Sequence, residues 1–244
     1  MSKVILEICC ADIQSVLAAN EQGADRIELC SVLGEGGITP SAGFISEAVR
    51  LSRIPVKVLI RPREGNFIYT PEEVGIMTAD IRLCRQLGAD GVVIGALRHD
   101  GSIDTGTCRQ LVEAAGRTEV SFHRAFDLCN DPMKALRQII DIGCNALLTS
   151  GGSSSASEGC DMLARLVFTS GNCLKIIAAA GITSSNVAEI LKRTGVSEVH
   201  ASAKMRIHDD LAVTSDASMG QHSDETSRFT ASPTEIRNLV NILS

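Results

Sequence analysis

Acidic, basic and thiol side chains recur at the ends of apolar runs, and their spacing decides which of them can meet. In an extended segment, residues two apart point the same way. By that rule Glu7 shares a face with Cys9, and Glu28 with Cys30. Lys57, Leu59 and Arg61 align, followed by Pro62 and Arg63. Ser121 aligns with His123 ahead of Arg124 and Asp127, and Glu198 aligns with His200 and Ser202. A lone charge buried in such a place would shift its pKa or demand a partner. Glu7 and Glu28 set opposite Arg61, with His123 and His200 nearby, would satisfy one another and leave a pocket open. In that arrangement Glu7, Glu28 or His123 would move protons. Arg61 and Arg63 would anchor an anion. The bland alternative is a plug of structural ion pairs.

Cys9 and Cys30 have matching parity, so their sulfurs are expected close together, and two thiolates suit a soft ion such as Cu(I). The alternative is that buried cysteine acts as a small apolar residue. No CxxC pair is present, which argues against a structural zinc site. Ser150, Gly151, Gly181 and Ser202 could offer amides or a hydroxyl to an anion, as loops late in α/β barrels often do. Lys57 and Lys175 lie too early in their runs to meet a substrate as Schiff-base lysines.

The elements that must position these groups alternate along the whole chain. Strand-like runs fall at 4–9, 24–29, 55–61, 90–95, 118–123, 144–149, 174–180 and 196–200. Helix-like segments fall at 11–22, 41–53, 71–87, 104–115, 131–142, 157–170, 183–194 and 233–243. Such alternation predicts βαβ units and a parallel sheet. Gly23, Gly88, Gly143 and Gly195 stand where helices end, and Thr70-Pro71, Asp131-Pro132 and Ser232-Pro233 stand where they begin. Repeated βα units predict a single-domain (β/α)8 TIM barrel over 1–244, with a doubly wound sheet as the runner-up. Residues 201–231 break the rhythm: they are polar and aperiodic, as in a lid, a binding arm or a disordered loop.

The bulk numbers agree with this. The chain has 244 residues, 44% of them apolar, with no Trp and one Tyr, so its core must be aliphatic. A net charge of −6 argues against a nucleic-acid partner. No run is apolar enough for a membrane span, and the start lacks the pattern of a signal peptide. Nine scattered cysteines read as reduced thiols, and a cytoplasmic location is expected.

The segments LEICCAD (6–12), DRIELC (25–30), GEGGITPS (34–41), IRPREGNFIYT (60–70), SFHRAFD (121–127), LLTSGGSSSA (147–156) and EVHASA (198–203) resemble the CutC family of copper homeostasis proteins. The resemblance runs in order from residue 4 to about 240. It implies a (β/α)8 barrel, a homo-oligomer such as a dimer or tetramer, and Cu(I) as ligand at Cys9 and Cys30. Met205, His208, Met219 and His222 could assist. Beside copper handling stands a second reading: a lyase, isomerase or hydrolase acting on a small anionic or phosphorylated metabolite. In it Glu7, Glu28, Arg61, His123 and His200 form the catalytic group. Arg63, Arg124, Asp127, Ser150, Gly151, Gly181 and Ser202 surround the substrate.

Overall fold

The structure is a computed structural model and describes residues 3–208, 224 and 226–244. Its strands are β1 (Ile5–Cys10), β2 (Arg26–Leu29), β3 (Val56–Leu59), β4 (Gly91–Ile94), β5 (Glu119–Phe122), β6 (Ala146–Thr149), β7 (Lys175–Ala178) and β8 (Glu198–Ala201). They close in sequence order into a parallel barrel, β8 pairing with β1. The helices are α1 (Ile13–Gln22), α2 (Ala42–Leu51), α3 (Pro71–Gln86), α4 (Thr105–Ala115), α5 (Pro132–Ile142), α6 (Cys160–Ser170), α7 (Val187–Thr194) and α8 (Pro233–Leu243). Parallel strands need such crossovers, and the crossovers bury the outer face of the barrel.

The helix punctuation works as its chemistry dictates. Thr70 and Glu73 form a reciprocal capping box at the start of α3, and Asp131 and Ser232 cap α5 and α8 with Pro at the first helical position.

Strand alternation divides the barrel into two environments. Outward residues such as Ile8, Ile27, Val58, Ile94, Phe122, Leu147 and Val199 join the large core under the helices. Inward residues do not. Cys9, Cys30, Leu59 and Val93 form one small apolar patch, and Ala146, Leu148, Ile177 and Ala179 form another. Between and beneath these patches the barrel holds charged side chains, including Glu7, Glu28, Lys57 and Glu198, all buried. Gly95, just past β4, leaves the space that the ring of His123 fills: a Cβ there would stand 2.5 Å from His123 Cε1.

The polar stretch 201–231 carries structure that its composition did not announce. Lys204–His208 (β9) and Ser227–Ala231 (β10) pair antiparallel and form a two-stranded ribbon on the barrel. Ser15 of α1 anchors it by accepting the amide hydrogen of Ala231. The stretch expected as a lid, a binding arm or a disordered loop thus includes these two strands. Their cross-strand pairs rest on residues such as Ile207, Phe229 and Thr230, which a periodicity scan passes over. Met219 and His222 lie outside the described residues.

Gly95→Ala drives a methyl group into a buried ring and is expected to cost about 1 to 3 kcal/mol. Urea unfolding reads this directly, and an unchanged midpoint would show that His123 is not held where the structure puts it.

Candidate functional site

Register brings the inward side chains of neighbouring strands level. Glu7 stands opposite Arg26 on one side and His200 on the other. Its carboxylate accepts from Arg26 Nε at 2.5 Å, and its other oxygen lies 2.8 Å from His200 Nδ1. Arg26 also donates through Nη2 to Glu198 at 2.7 Å. Nearby, the buried Lys57 Nζ reaches the buried Ser121 Oγ and the exposed Glu119, each at 3.1 Å. Glu7 and Glu28 therefore do not lean on Arg61 as expected. Arg26 serves Glu7, and the signal for it in the sequence is its place two residues before Glu28 on the same face.

Above this ionic layer the barrel opens into a cavity of about 770 Å³, lined among others by Cys9, Glu28, Cys30, Arg61, His123 and His200. Cys9 and Cys30 Sγ stand 3.5 Å apart, and both cysteines are buried. Gly37, with φ +84°, brings the loop after β2 down onto this pair; a Cβ there would meet Leu59 at 2.7 Å and Cys30 Cβ at 3.3 Å. The contact with Cys30 and burial push the Cys9 thiol well above its ordinary range.

Three buried polar atoms in the cavity wall have no hydrogen-bond partner: Glu28 Oε2, Arg61 Nε and His123 Nε2. Buried polar groups are nearly always paired, so three orphans around one cavity point to a ligand or to water. Burial pushes the Glu28 carboxyl up to about 7, with the Glu7 carboxylate adding to the effect and His200, 4.0 Å away, opposing it. Burial would also raise Glu7. The hydrogen bond to His200 and the charge of Arg26 outweigh that and hold it down at about 2. His200 is driven down by burial but up by Glu28 and Glu7, and the carboxylates win. His123 goes the other way, to about 3, through burial and the nearby Arg61 guanidinium. The ring is therefore neutral, and because Nδ1 accepts from the amide of Ala125 at 3.1 Å, the proton sits on Nε2.

Arg61 is fastened in place. Its Nη1 donates to the carbonyls of Glu35 at 2.9 Å and Gly37 at 2.8 Å, and Nη2 to that of Gly65 at 2.7 Å. Its guanidinium lies 4.9 Å from the centroid of Phe67, and the His123 ring lies 4.8 Å from the same centroid. Arg63 points elsewhere: it binds Glu73 at 2.5 Å and the Ile68 carbonyl at 2.8 Å, and it does not line the cavity.

The remaining expected residues separate at the rim. Asp127 accepts from Arg124 Nε at 2.8 Å, Ser150 Oγ at 2.9 Å, and the amides of Ser150 and Gly152 at 3.1 Å. The loop after β6 thus wraps a carboxylate of its own, and neither Ser150 nor Gly151 reaches the cavity lining. Arg124, Gly181 and Ser202 do line it. Ala180 and Ala203, also in the lining, hold left-handed backbones at φ 78° and 45°, a strain commonly found at functional sites.

The model of the CutC family matches residues 4–205. The chain belongs to the CutC family. A Pasteurella multocida family protein CutC is 44% identical over 92% of this chain and 92% of its own length. Its counterpart from Bacteroides thetaiotaomicron is 42% identical over 100% and 99%. Among solved structures, a Streptococcus agalactiae CutC named for copper homeostasis superposes with a TM-score of 0.78 at 33% identity, over 82% of this chain and 98% of its own. The barrel is thus CutC architecture. Among the described residues no helix is long and apolar enough to cross a membrane.

The His123 shift sets a pH dependence. Its pKa is lower in the folded chain than the ordinary 6.5, so the unfolded chain binds more protons below that pH and stability is lost as pH falls. Glu28 and His200 shift upward and oppose the slope, so the parent alone is a poor probe. Stability of the parent relative to His123→Gln is expected to fall by about 1.4 kcal/mol per pH unit from roughly pH 6.5 to 5. Parallel stability curves in that window would mean that His123 is not buried as a neutral ring.

Proposed function

We propose that this protein handles copper by binding Cu(I) between Cys9 and Cys30 at the wall of the barrel cavity. The observation that carries the reading is the sulfur pair itself, 3.5 Å apart and buried. Thiolates are soft ligands, and Cu(I) tolerates the low coordination number that two of them supply. Cys9, Glu28 and His200 also present ligand atoms within 4.8 Å of one another, so a further donor is at hand. Met205 lines the same cavity. The surrounding apolar wall of Leu33 and Leu59 would shield the ion from water. With thiols kept reduced, such a site belongs in the cytoplasm.

Reduced protein titrated with Cu(I) against a chromophoric chelator is expected to bind one ion far more tightly than micromolar. The Cys9→Ser/Cys30→Ser variant is expected to lose that affinity. Binding no tighter than micromolar, or unchanged in the variant, would remove the thiol pair from any role in copper handling.

A second reading is favoured by a different observation. The cavity is far larger than one ion requires, and its wall holds Arg61, a buried guanidinium that forms no ion pair among the described residues. A buried cation without a counterion asks for an anion. On this reading the barrel is an enzyme whose substrate is a small anionic metabolite.

A further inference from the structure

We propose that Cys9 and Cys30 form a reversible redox pair: a peroxide small enough to enter the cavity joins their sulfurs as a disulfide and so empties the copper site. The bond itself stands on geometry alone. Its effect on copper rests on the thiol-pair reading above.

The two sulfurs are held in contact. Their Sγ atoms stand 3.5 Å apart, and a disulfide needs about 2 Å. Side-chain rotation can close that gap only where the backbone keeps the two residues abreast. Here the Cys10 carbonyl accepts the Cys30 amide at 3.0 Å and fastens the end of β2 to β1. Cys30 is also confined by the loop after β2. A Cβ on Gly37 would stand 3.3 Å from Cys30 Cβ and 3.6 Å from its Sγ, so the thiol has little room to turn away. Groups fixed in this way react as if each were at high local concentration.

The surroundings make the pair both reachable and selective. Both cysteines line the cavity, so a small oxidant meets them without unfolding of the barrel. The other thiols are spoken for differently. Cys10 joins the core under the helices, with its Sγ 3.7 Å from the Ile8 carbonyl. Cys108, Cys129 and Cys160 lean on the carbonyls of Ala96, Ala125 and Ala156. Among the described residues no second pair of sulfurs makes such a contact.

The chemistry balances with one molecule of hydrogen peroxide. One sulfur, as thiolate, attacks a peroxide oxygen; the O–O bond breaks, water leaves and a sulfenic acid forms. The other sulfur then attacks the sulfenic sulfur; the S–O bond breaks, the S–S bond forms and a second water leaves. Two thiols are oxidised to one disulfide, and one peroxide is reduced to two waters. Burial and the contact with Cys30 hold the Cys9 thiol well above its ordinary range, so the pair reacts more slowly than an exposed, acidic thiol. In the disulfide neither sulfur is a thiolate, and the soft ligands that Cu(I) needs are gone. A dithiol reductant restores them.

The test uses metal-free, full-length protein carrying Cys173→Ser, which removes the exposed thiol. It is treated with hydrogen peroxide, alkylated and digested with trypsin. Cleavage after Arg26 leaves Cys9 and Cys30 on separate peptides, 4–26 and 27–50. These are expected to appear linked, with fragmentation placing the bond at Cys9 rather than Cys10, and to separate on reduction. The oxidised protein is expected to lose Cu(I) binding tighter than micromolar and to regain it once dithiothreitol has been added and removed. Sulfinic acid at either cysteine without linked peptides would overturn the proposal, as would thiols that stay free under excess peroxide. Linked peptides with undiminished Cu(I) affinity would overturn the emptying of the site. If the reduced protein binds no Cu(I) and the link still forms, the copper reading falls and the redox pair stands.

Discussion

Everything at the mouth of this barrel depends on an ion pair buried in its interior. Arg26 holds Glu7 on one side and Glu198 on the other, inside a ring of strands that buries both carboxylates. Removing one partner from such a group typically costs 3 to 5 kcal/mol, because it strands the other charge. The bridge also does geometric work. With one oxygen of Glu7 fixed by Arg26, the other is aimed at His200, and His200 in turn stands beside Glu28 at the cavity floor. The charge of His200 is thus set in part from one layer below the cavity.

A polar interior is an unusual choice for a barrel of this size. Most barrel interiors are packed with branched aliphatic residues. Here the aliphatic residues face the helices, and the interior divides into an ionic floor and two small apolar flanks. The arrangement sacrifices hydrophobic burial and gains side chains whose pKa values are driven apart: Glu28 and His200 upward, Glu7 and His123 downward. That separation of neighbouring groups is what a binding or catalytic cavity requires and what a purely structural core does not. The two proposed roles would use different parts of the same wall: copper capture the thiols of Cys9 on β1 and Cys30 just past β2, and an anionic substrate the guanidinium of Arg61 past β3.

Much of the fold was legible in the sequence because barrels repeat. Eight apolar runs punctuated by Gly23, Gly143 and Gly195 left little room for another architecture, and alternation within β1 and β2 was enough to bring Cys9 and Cys30 together. The site was less legible, and for physical reasons. Parity says which way a side chain points but not which strand lies beside it. Parity allows Glu7 to face Arg61, whereas register sets Arg26 and His200 level with it. The loops hide more. Nothing in Ser150-Gly151 reveals that Asp127, more than twenty residues earlier, already takes the amides of Ser150 and Gly152. Arg63 reads like Arg61 in sequence, yet Glu73 at the start of α3 draws it away from the cavity. The ribbon of β9 and β10 escaped notice because its pairing is cross-strand and only partly apolar.

Burial and neighbouring charges divide the two cavity histidines into one that holds its proton and one that refuses it. Ring ¹⁵N spectra recorded through a pH titration of the metal-free protein measure this directly. The account requires the His200 ring to stay protonated above the ordinary value of 6.5 and the His123 ring to stay neutral, protonated at Nε2, down to about 3. If both rings titrate together near 6.5, neither the Glu7 and Glu28 carboxylates beside His200 nor the burial of His123 beside Arg61 sets the charge of the cavity.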